Sequence, residues 1–261
     1  MKYLLYTLVN YNSKYYLQIF RQFLKALLAF SDLSKFDLCI VTDAATLPDV
    51  QKLRDIKSFP SVSYVIVPVD KSLHTALFRK FDITQHPNFM HYDAILFLDC
   101  DIIVQNDVLT LYAAVKPKPN KLYVAQEGDL AEYYWRINAL KNTNISRMRR
   151  EHIQSFNSGA FMFKPTQEMK AHFESAKQFG LEYQKSHKFF YDQPIFNYYF
   201  NTHKIAKISK YLTDKLQMFP DVTKYYPNKT LMHISGIGNY KTKAPTMRAY
   251  LDFIKKSKLR S

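Results

Sequence analysis

Along the N-terminal part of the chain, short unbroken apolar runs alternate with longer stretches in which apolar residues recur every three or four positions. Tyr3 to Val9 (YLLYTLV) has the length and the β-branched and aromatic character of a buried strand. Asn10, Asn12 and Ser13 then offer turn and helix-capping groups. Tyr16, Ile19, Phe20, Phe23, Leu24, Leu27 and Leu28 follow at helical spacing and predict an amphipathic helix. LCIVTD, ending at Asp43, predicts a second strand, a short helix follows Pro48, and VSYVIVPV (Val62 to Val69) predicts a third strand. Leu73 to His86 reads as a helix stopped by Pro87, and AILFLD (Ala94 to Asp99) as a fourth strand.

Strands and helices alternating at this spacing predict an α/β fold with a Rossmann-like, mainly parallel central sheet flanked by helices. Ligands of such sheets bind beyond the carboxyl ends of the strands, and Asn10, Asp43 and Asp99 all fall there. After residue 105 the alternation weakens. LYVA (Leu122 to Ala125) and FMF (Phe161 to Phe163) predict strands, while Pro165 to Phe179 and Asp192 to Thr202 predict helices. Tyr133 to Gln154 is polar, basic and irregular, the composition of a lid or an acceptor loop. With no internal repeat, low-complexity stretch or Gly/Ser linker, the pattern predicts a single domain over residues 1–243, followed by a basic C-terminal helix and tail over 244–261.

Charge sharpens this picture. The 261 residues carry 37 Lys+Arg against 22 Asp+Glu, a net +15, which favours anionic surfaces or phosphorylated ligands. Part of the excess lies at Arg147, Arg149 and Arg150, where a solvated face accounts for it, and part in the last twenty or so residues. There Tyr250, Leu251 and Ile254 form an apolar edge, which fits either weak attachment to an anionic membrane or a packing helix with a solvated tail. Nucleic-acid binding would interleave exposed aromatics with the basic residues, yet most of the 20 Tyr and 20 Phe occupy core-periodic positions, so no nucleic-acid partner is expected. Cys39 and Cys100 sit singly within strand-like runs and make no disulfide framework. That usage, with no secretory signal and no run long enough to span a bilayer, predicts a cytoplasmic, at most peripherally attached protein.

The chemistry concentrates at Asp99-Cys100-Asp101, which closes the apolar strand AILFL. Residues i and i+2 of an extended chain point to the same side, so the two carboxylates converge while Cys100 faces back. Two such charges are costly to bury unpaired, and a divalent cation resolves the cost; two aspartates capping a turn would give the same pattern. FNSGAFMF (Phe156 to Phe163) joins a polar turn to a buried strand, with small residues that let a ligand approach and with Asn157 able to bond sugar hydroxyls. DQPIFNYYF opens a periodic helix with Asp192 and Gln193, where a plain N-cap is the simpler role for the aspartate. HISGIGNYK (His233 to Lys241) sets an imidazole, an acceptable transition-metal ligand, beside two glycines and a lysine suited to phosphate.

In their order and spacing, LYTLVNYN, LFRKFDI, AILFLDCDIIV, FNSGAFMF, DQPIFN and HISG resemble glycosyltransferase family 8, the glycogenin and lipopolysaccharide galactosyltransferase group. The resemblance runs from the first strand to about residue 247. It implies a GT-A fold and transfer of a hexose, with retention of configuration, from a nucleotide-diphosphate sugar such as UDP-glucose or UDP-galactose to a glycan, lipid-linked or protein acceptor. By position it implies that Thr7, Val9, Asn10 and Tyr15 line the nucleoside site and that Lys80 contacts the donor, with Arg79 beside it. Asp99, Asp101 and His233 would hold Mn²⁺, with Mg²⁺ as the alternative. Asn157, Ser158, Asp192 and Gln193 would face the donor sugar, and Gly236 the diphosphate. The chain departs from the family's His-x-x-Gly-x-x-Lys, with Asn239 where the lysine would stand; Gly238 could absorb a longer turn and bring Lys241 or Lys243 to the phosphates. A sugar-nucleotide-forming nucleotidyltransferase would share the first half of this architecture, but it needs a Gly-rich loop after the first strand, where this chain has NYNSKYY.

Overall fold

The run YLLYTLV forms β1 (Tyr3–Val9), in the middle of a seven-stranded sheet, in a computed structural model that describes residues 1–10, 14–70, 72–129, 153–186, 192–235 and 240–259. In chain order β1 is followed by α1 (Lys14–Phe30), β2 (Phe36–Asp43), α2 (Leu47–Gln51), β3 (Val62–Val67), α3 (Leu73–Ala76), β4 (Ala94–Leu98), β5 (Ile102–Val104) and α4 (Leu109–Val115). Then come β6 (Leu122–Asp129), β7 (Gln154–Phe163), α5 (Gln167–Ser186), α6 (Asp192–Thr202), β8 (Ala206–Ile208), α7 (Lys210–Lys215), β9 (Leu216–Met218), β10 (Leu231–His233) and α8 (Tyr240–Lys258).

The large sheet has the order β3-β2-β1-β4-β7-β6-β8. The β1–β2, β1–β4, β2–β3 and β6–β8 pairs are parallel, and β7 runs antiparallel to both β4 and β6. This is the mainly parallel single-domain α/β architecture that the pattern predicts. Its continuous apolar strands follow from burial on both faces. Leu5 and Val9 face a core shared with α1 and α8, whereas Leu4, Tyr6 and Leu8 face one shared with α5 and α6. On β4, Leu96 and Leu98 divide from Ile95 and Phe97 in the same way, which is the two-residue period of a strand at work.

A second, three-stranded sheet, β5-β10-β9, was not legible in the sequence. Its strands have only three residues each, too few to show a period, yet its β5–β10 pairing sets Ile102 opposite His233.

Three expectations are corrected. Leu73 to His86 is not one α-helix: after α3 the chain tightens into a 3₁₀ segment, Leu77–Gln85. Three residues per turn stack Phe78 over Phe81 toward one core. FNSG is not a turn but the middle of β7, because its backbone pairs with neighbouring strands while its polar side chains find partners in the cleft. The helix predicted from Pro165 to Phe179 starts at Gln167, behind a Thr166 hydroxyl that accepts the Met169 N–H at 3.0 Å, and continues to Ser186.

The C-terminal helix begins at Tyr240 rather than Ala244, and packs along α1. Tyr250, Leu251 and Ile254 are buried in that contact. Burying such a side chain stabilises the fold by about 1.5–3 kcal/mol, so this edge is committed to the core, as a packing helix requires. Among the described residues no helix is long and apolar enough to cross a membrane.

Candidate functional site

The site grows from the point where β4 ends. The Asp99 N–H donates to the Gly159 carbonyl at 2.8 Å, which ties the aspartate pair to the middle of β7. Two residues on, the Ile234 N–H donates to the Asp101 carbonyl at 3.1 Å, which ties the same turn to the end of β10. Segments far apart in sequence thus bring Asp99, Asp101 and His233 together, with one ligand-type atom from each lying within 4.8 Å of the others.

These three residues fit a divalent cation. His233 Nε2 is 3.1 Å from Asp101 Oδ1, a buried oxygen with no well-aligned hydrogen-bond partner among the described residues. Gly159 forms the floor. A Cβ added there would stand 2.6 Å from Asp99 Oδ2 and 2.6 Å from His233 Cε1, closer than real Cβ atoms come. Two carboxylates and an imidazole suit a transition ion of intermediate softness. The Asp99 side chain keeps 27% of its surface exposed, which leaves a ligand a way in.

Electrostatics separate the two aspartates. Burial raises the Asp99 carboxyl to about 6, opposed by Lys80 and assisted by the neighbouring charge of Asp101. Burial also works against ionised Asp101, but His233 and Lys243 outweigh it and hold that carboxyl far below the usual range. His233 is raised in return: burial alone would lower it, and Asp101 reverses the effect. Lys243 Nζ lies 2.7 Å from Asp101 Oδ2.

A second cluster adjoins the first through Lys80, whose side chain is only 1% exposed. Its ammonium donates to Asp192 Oδ2 at 2.7 Å and to the Ser158 carbonyl at 3.2 Å, with Asp99 Oδ1 at 3.5 Å. It also lies over the Phe97 ring at 4.7 Å. Burial would strip its proton, but Asp192 and Asp99 more than compensate, so it remains a cation. Asp192 therefore opens α6 with its carboxylate engaged by Lys80.

The remaining predicted residues divide. Asn157 and Ser158 are both buried on β7, and the Ser158 N–H donates to Gln193 Oε1 at 3.2 Å. At the end of β1, Asn10 Nδ2 donates to the Ala76 carbonyl at 3.0 Å, Val9 is buried, and the buried Thr7 hydroxyl has no hydrogen-bond partner among the described residues. Tyr15 lies half-buried near the start of α1. Asp43, at the end of β2, accepts the Ala45 and Thr46 N–H groups and thereby caps its own turn. Arg79 turns away from Lys80 to a bidentate pair with Asp70. Lys241 is exposed on the first turn of α8, while Lys243 reaches Asp101. Gly236 and Gly238 lie outside the described residues, as do Asn239 and all but the last two positions of the predicted loop from Tyr133 to Gln154.

Two site residues escaped the sequence reading. Gly159 lies inside the FNSG motif, and its role as floor needs the fold to be visible. Glu127, on β6, accepts from both Asn157 Nδ2 at 2.9 Å and Gln193 Nε2 at 3.1 Å. Its only sequence signal is a charge at the end of a strand, which is common at any surface.

Comparison with known proteins agrees with this geometry. A family model described as Glycosyl transferase family 8 matches residues 7–234. No curated protein sequence matches the chain. Among solved structures, the galactosyltransferase LgtC in complex with donor and acceptor sugar analogs superposes with a TM-score of 0.59 at 13% identity, covering 98% of this chain and 96% of that one. Mouse xyloside xylosyltransferase 1 in its apo form gives 0.56 at 12% identity, with 93% and 99% covered. A glycosyltransferase involved in glycosylation of the major capsid of PBCV-1 gives 0.57 at 12% identity, with 94% and 98% covered. At such identities these structures speak for a shared GT-A fold.

Proposed function

We infer, from the premise that the chain belongs to glycosyl transferase family 8, that this glycosyltransferase moves a hexose from a UDP-sugar, UDP-glucose or UDP-galactose, to a glycan, lipid-linked or protein acceptor. The observation that carries the reading is the convergence of Asp99, Asp101 and His233 on the Gly159 floor, directly beside the Lys80–Asp192 pair. The aligned LgtC structure is a complex with donor and acceptor sugar analogs, which supports a sugar donor for this chain as well.

Asp99, Asp101 and His233 would hold Mn²⁺ in preference to Mg²⁺, because the imidazole adds nitrogen to an oxygen-rich set. When bound, such an ion supplies Lewis-acid neutralisation of a leaving diphosphate. The chain's own residues supply the rest. Val9 and Asn10 lie at the end of β1, with Thr7 inside the strand and Tyr15 in the first turn of α1, at the side of the sheet where a nucleoside meets folds of this kind. Lys243, already within reach of Asp101, is better placed than exposed Lys241 to add positive charge on the phosphate side. Asp192, held by Lys80, offers a preorganised negative charge to an anomeric carbon that becomes cationic as the glycosidic bond breaks. Asn157, Ser158 and Gln193 orient the sugar. Retention of configuration follows by resemblance to the family; a front-side path, in which the leaving phosphate assists the acceptor's deprotonation, needs no protein nucleophile.

The test is a donor panel: each common sugar nucleotide is incubated with the protein and Mn²⁺, and released nucleotide is measured. Release from a UDP-hexose above the others is expected. Release from none of them would overturn the reading.

A further inference from the structure

Two side-chain amides from different elements, Asn157 on β7 and Gln193 on α6, meet on a single carboxylate oxygen. Both nitrogens donate to Glu127 Oε2, at 2.9 and 3.1 Å. Their carbonyl ends are occupied as well. Asn157 Oδ1 accepts the Gly159 N–H at 3.0 Å, and Gln193 Oε1 accepts the Ser158 N–H at 3.2 Å.

A primary amide can turn over about its terminal bond, exchanging a donor for an acceptor at nearly the same position. Here the exchange is blocked at both ends. Turning either amide would set its NH₂ against a backbone N–H and its carbonyl against a carboxylate. Hydrogen bonds to an ionised acceptor are about twice as strong as neutral ones, so Glu127 dominates the choice. Each amide nitrogen carries two N–H groups, and only one goes to Glu127. Among the described residues neither nitrogen has another hydrogen-bond partner, so each keeps a second N–H for a ligand.

We propose that Glu127 is a positioning residue of the transfer site, fixing Asn157 and Gln193 as a matched pair of donors that select sugar oxygens able to accept. This rests on the donor-sugar roles given to those two residues above. The carboxylate acts through the amides, so what matters is an oxygen acceptor at that point rather than a charge on the substrate.

That distinction sets the experiment. Glu127→Gln keeps a side-chain oxygen that both amides can share, whereas Glu127→Leu and the smaller Glu127→Ala remove it. Transfer kinetics are measured with the UDP-hexose that the donor panel selects, and UDP binding is measured in the presence of Mn²⁺. Glu127→Gln is expected to keep kcat within about tenfold of wild type, since both amides keep an oxygen to donate to although neutral hydrogen bonds are about half as strong. The Leu and Ala variants are expected to lose about a hundredfold in kcat, as misplaced reacting groups do, with UDP binding unchanged. Equal losses in the Gln and Ala variants would show that the charge acts directly, and full activity in a folded Leu or Ala variant would remove Glu127 from the site; either result overturns the proposal. A wild-type protein that releases nucleotide from no sugar donor would instead strike the underlying reading.

Discussion

Arg79 and Lys80 are neighbours in sequence, yet they serve two charge networks of different kinds. Arg79 holds Asp70 through two bonds of 2.8 and 3.0 Å and lies 3.5 Å from Asp82, which Lys177 also reaches. Two bases meet two acids there, and both acids lie within nine residues of Arg79. Lys80 is buried among acids drawn from distant elements, Asp192 of α6 and Asp99 at the end of β4. With Asp101, Lys243 and His233 this network gathers three carboxylates around two lysines and an imidazole. The first balances two acids with two bases and ties the 3₁₀ segment to α5. The second drives two adjacent aspartates apart, one raised to about 6 and the other held far down. Titratable groups pushed apart by their surroundings mark sites of chemistry.

Substitutions can break this contrast. The largest effect is expected at Asp101: Asp101→Ala should cut nucleotide release by roughly a thousandfold or more, with the circular dichroism spectrum unchanged. Wild-type rates in that variant would reduce the aspartate pair to a turn. Gly159→Ala comes next, because its methyl group must displace Asp99 or His233. A loss of about a hundredfold in Mn²⁺ affinity is expected, the upper range for disturbed ligand positioning, and unchanged affinity would show that the floor does not constrain the ligands.

Asp192→Asn separates a structural role from a catalytic one. A carboxylate that only pairs with buried Lys80 predicts lower stability with a near wild-type transfer rate in the folded protein. A preorganised charge at the reacting sugar predicts roughly a hundredfold slower transfer, with UDP and Mn²⁺ binding retained. The smallest effect on activity is expected at Arg79. Arg79→Met should lower unfolding stability in urea by about 2–3 kcal/mol, since it strands the buried Asp70 carboxylate while Asp82 keeps Lys177, and kcat stays within about twofold. A large loss of kcat without loss of stability would merge the two networks that the structure separates.

Much of the fold was written in the sequence wherever an element was long enough to show its period. Tyr3 to Val9 and Asp192 to Thr202 begin and end where their apolar patterns do. Asp99, Asp101 and His233 were legible through the order and spacing of AILFLDCDIIV and HISG, which resemble the family; taken alone, two aspartates at a strand end fit a capped turn as well. What stayed hidden depends on long-range pairing. Nothing local in LMH or IIV declares that β10 will lie against β5, and that pairing is what brings His233 to Asp101. The dipeptide Arg79-Lys80 does not by itself reveal which basic residue turns inward, and only the resemblance singled out Lys80; the 3₁₀ winding of Leu77–Gln85 sets the two apart. Glu127 carries no signal apart from the two amides that reach it from other elements.

The central claim, that Asp99, Asp101 and His233 form a divalent-cation site serving a nucleotide-sugar donor, is tested most directly by titrating Mn²⁺ into the protein and following the free ion by electron paramagnetic resonance. The wild-type chain should bind one ion, more tightly when UDP is present, and Asp101→Asn should abolish that binding while remaining folded. Binding that survives undiminished in Asp101→Asn, or that is indifferent to UDP in the wild type, would contradict the account.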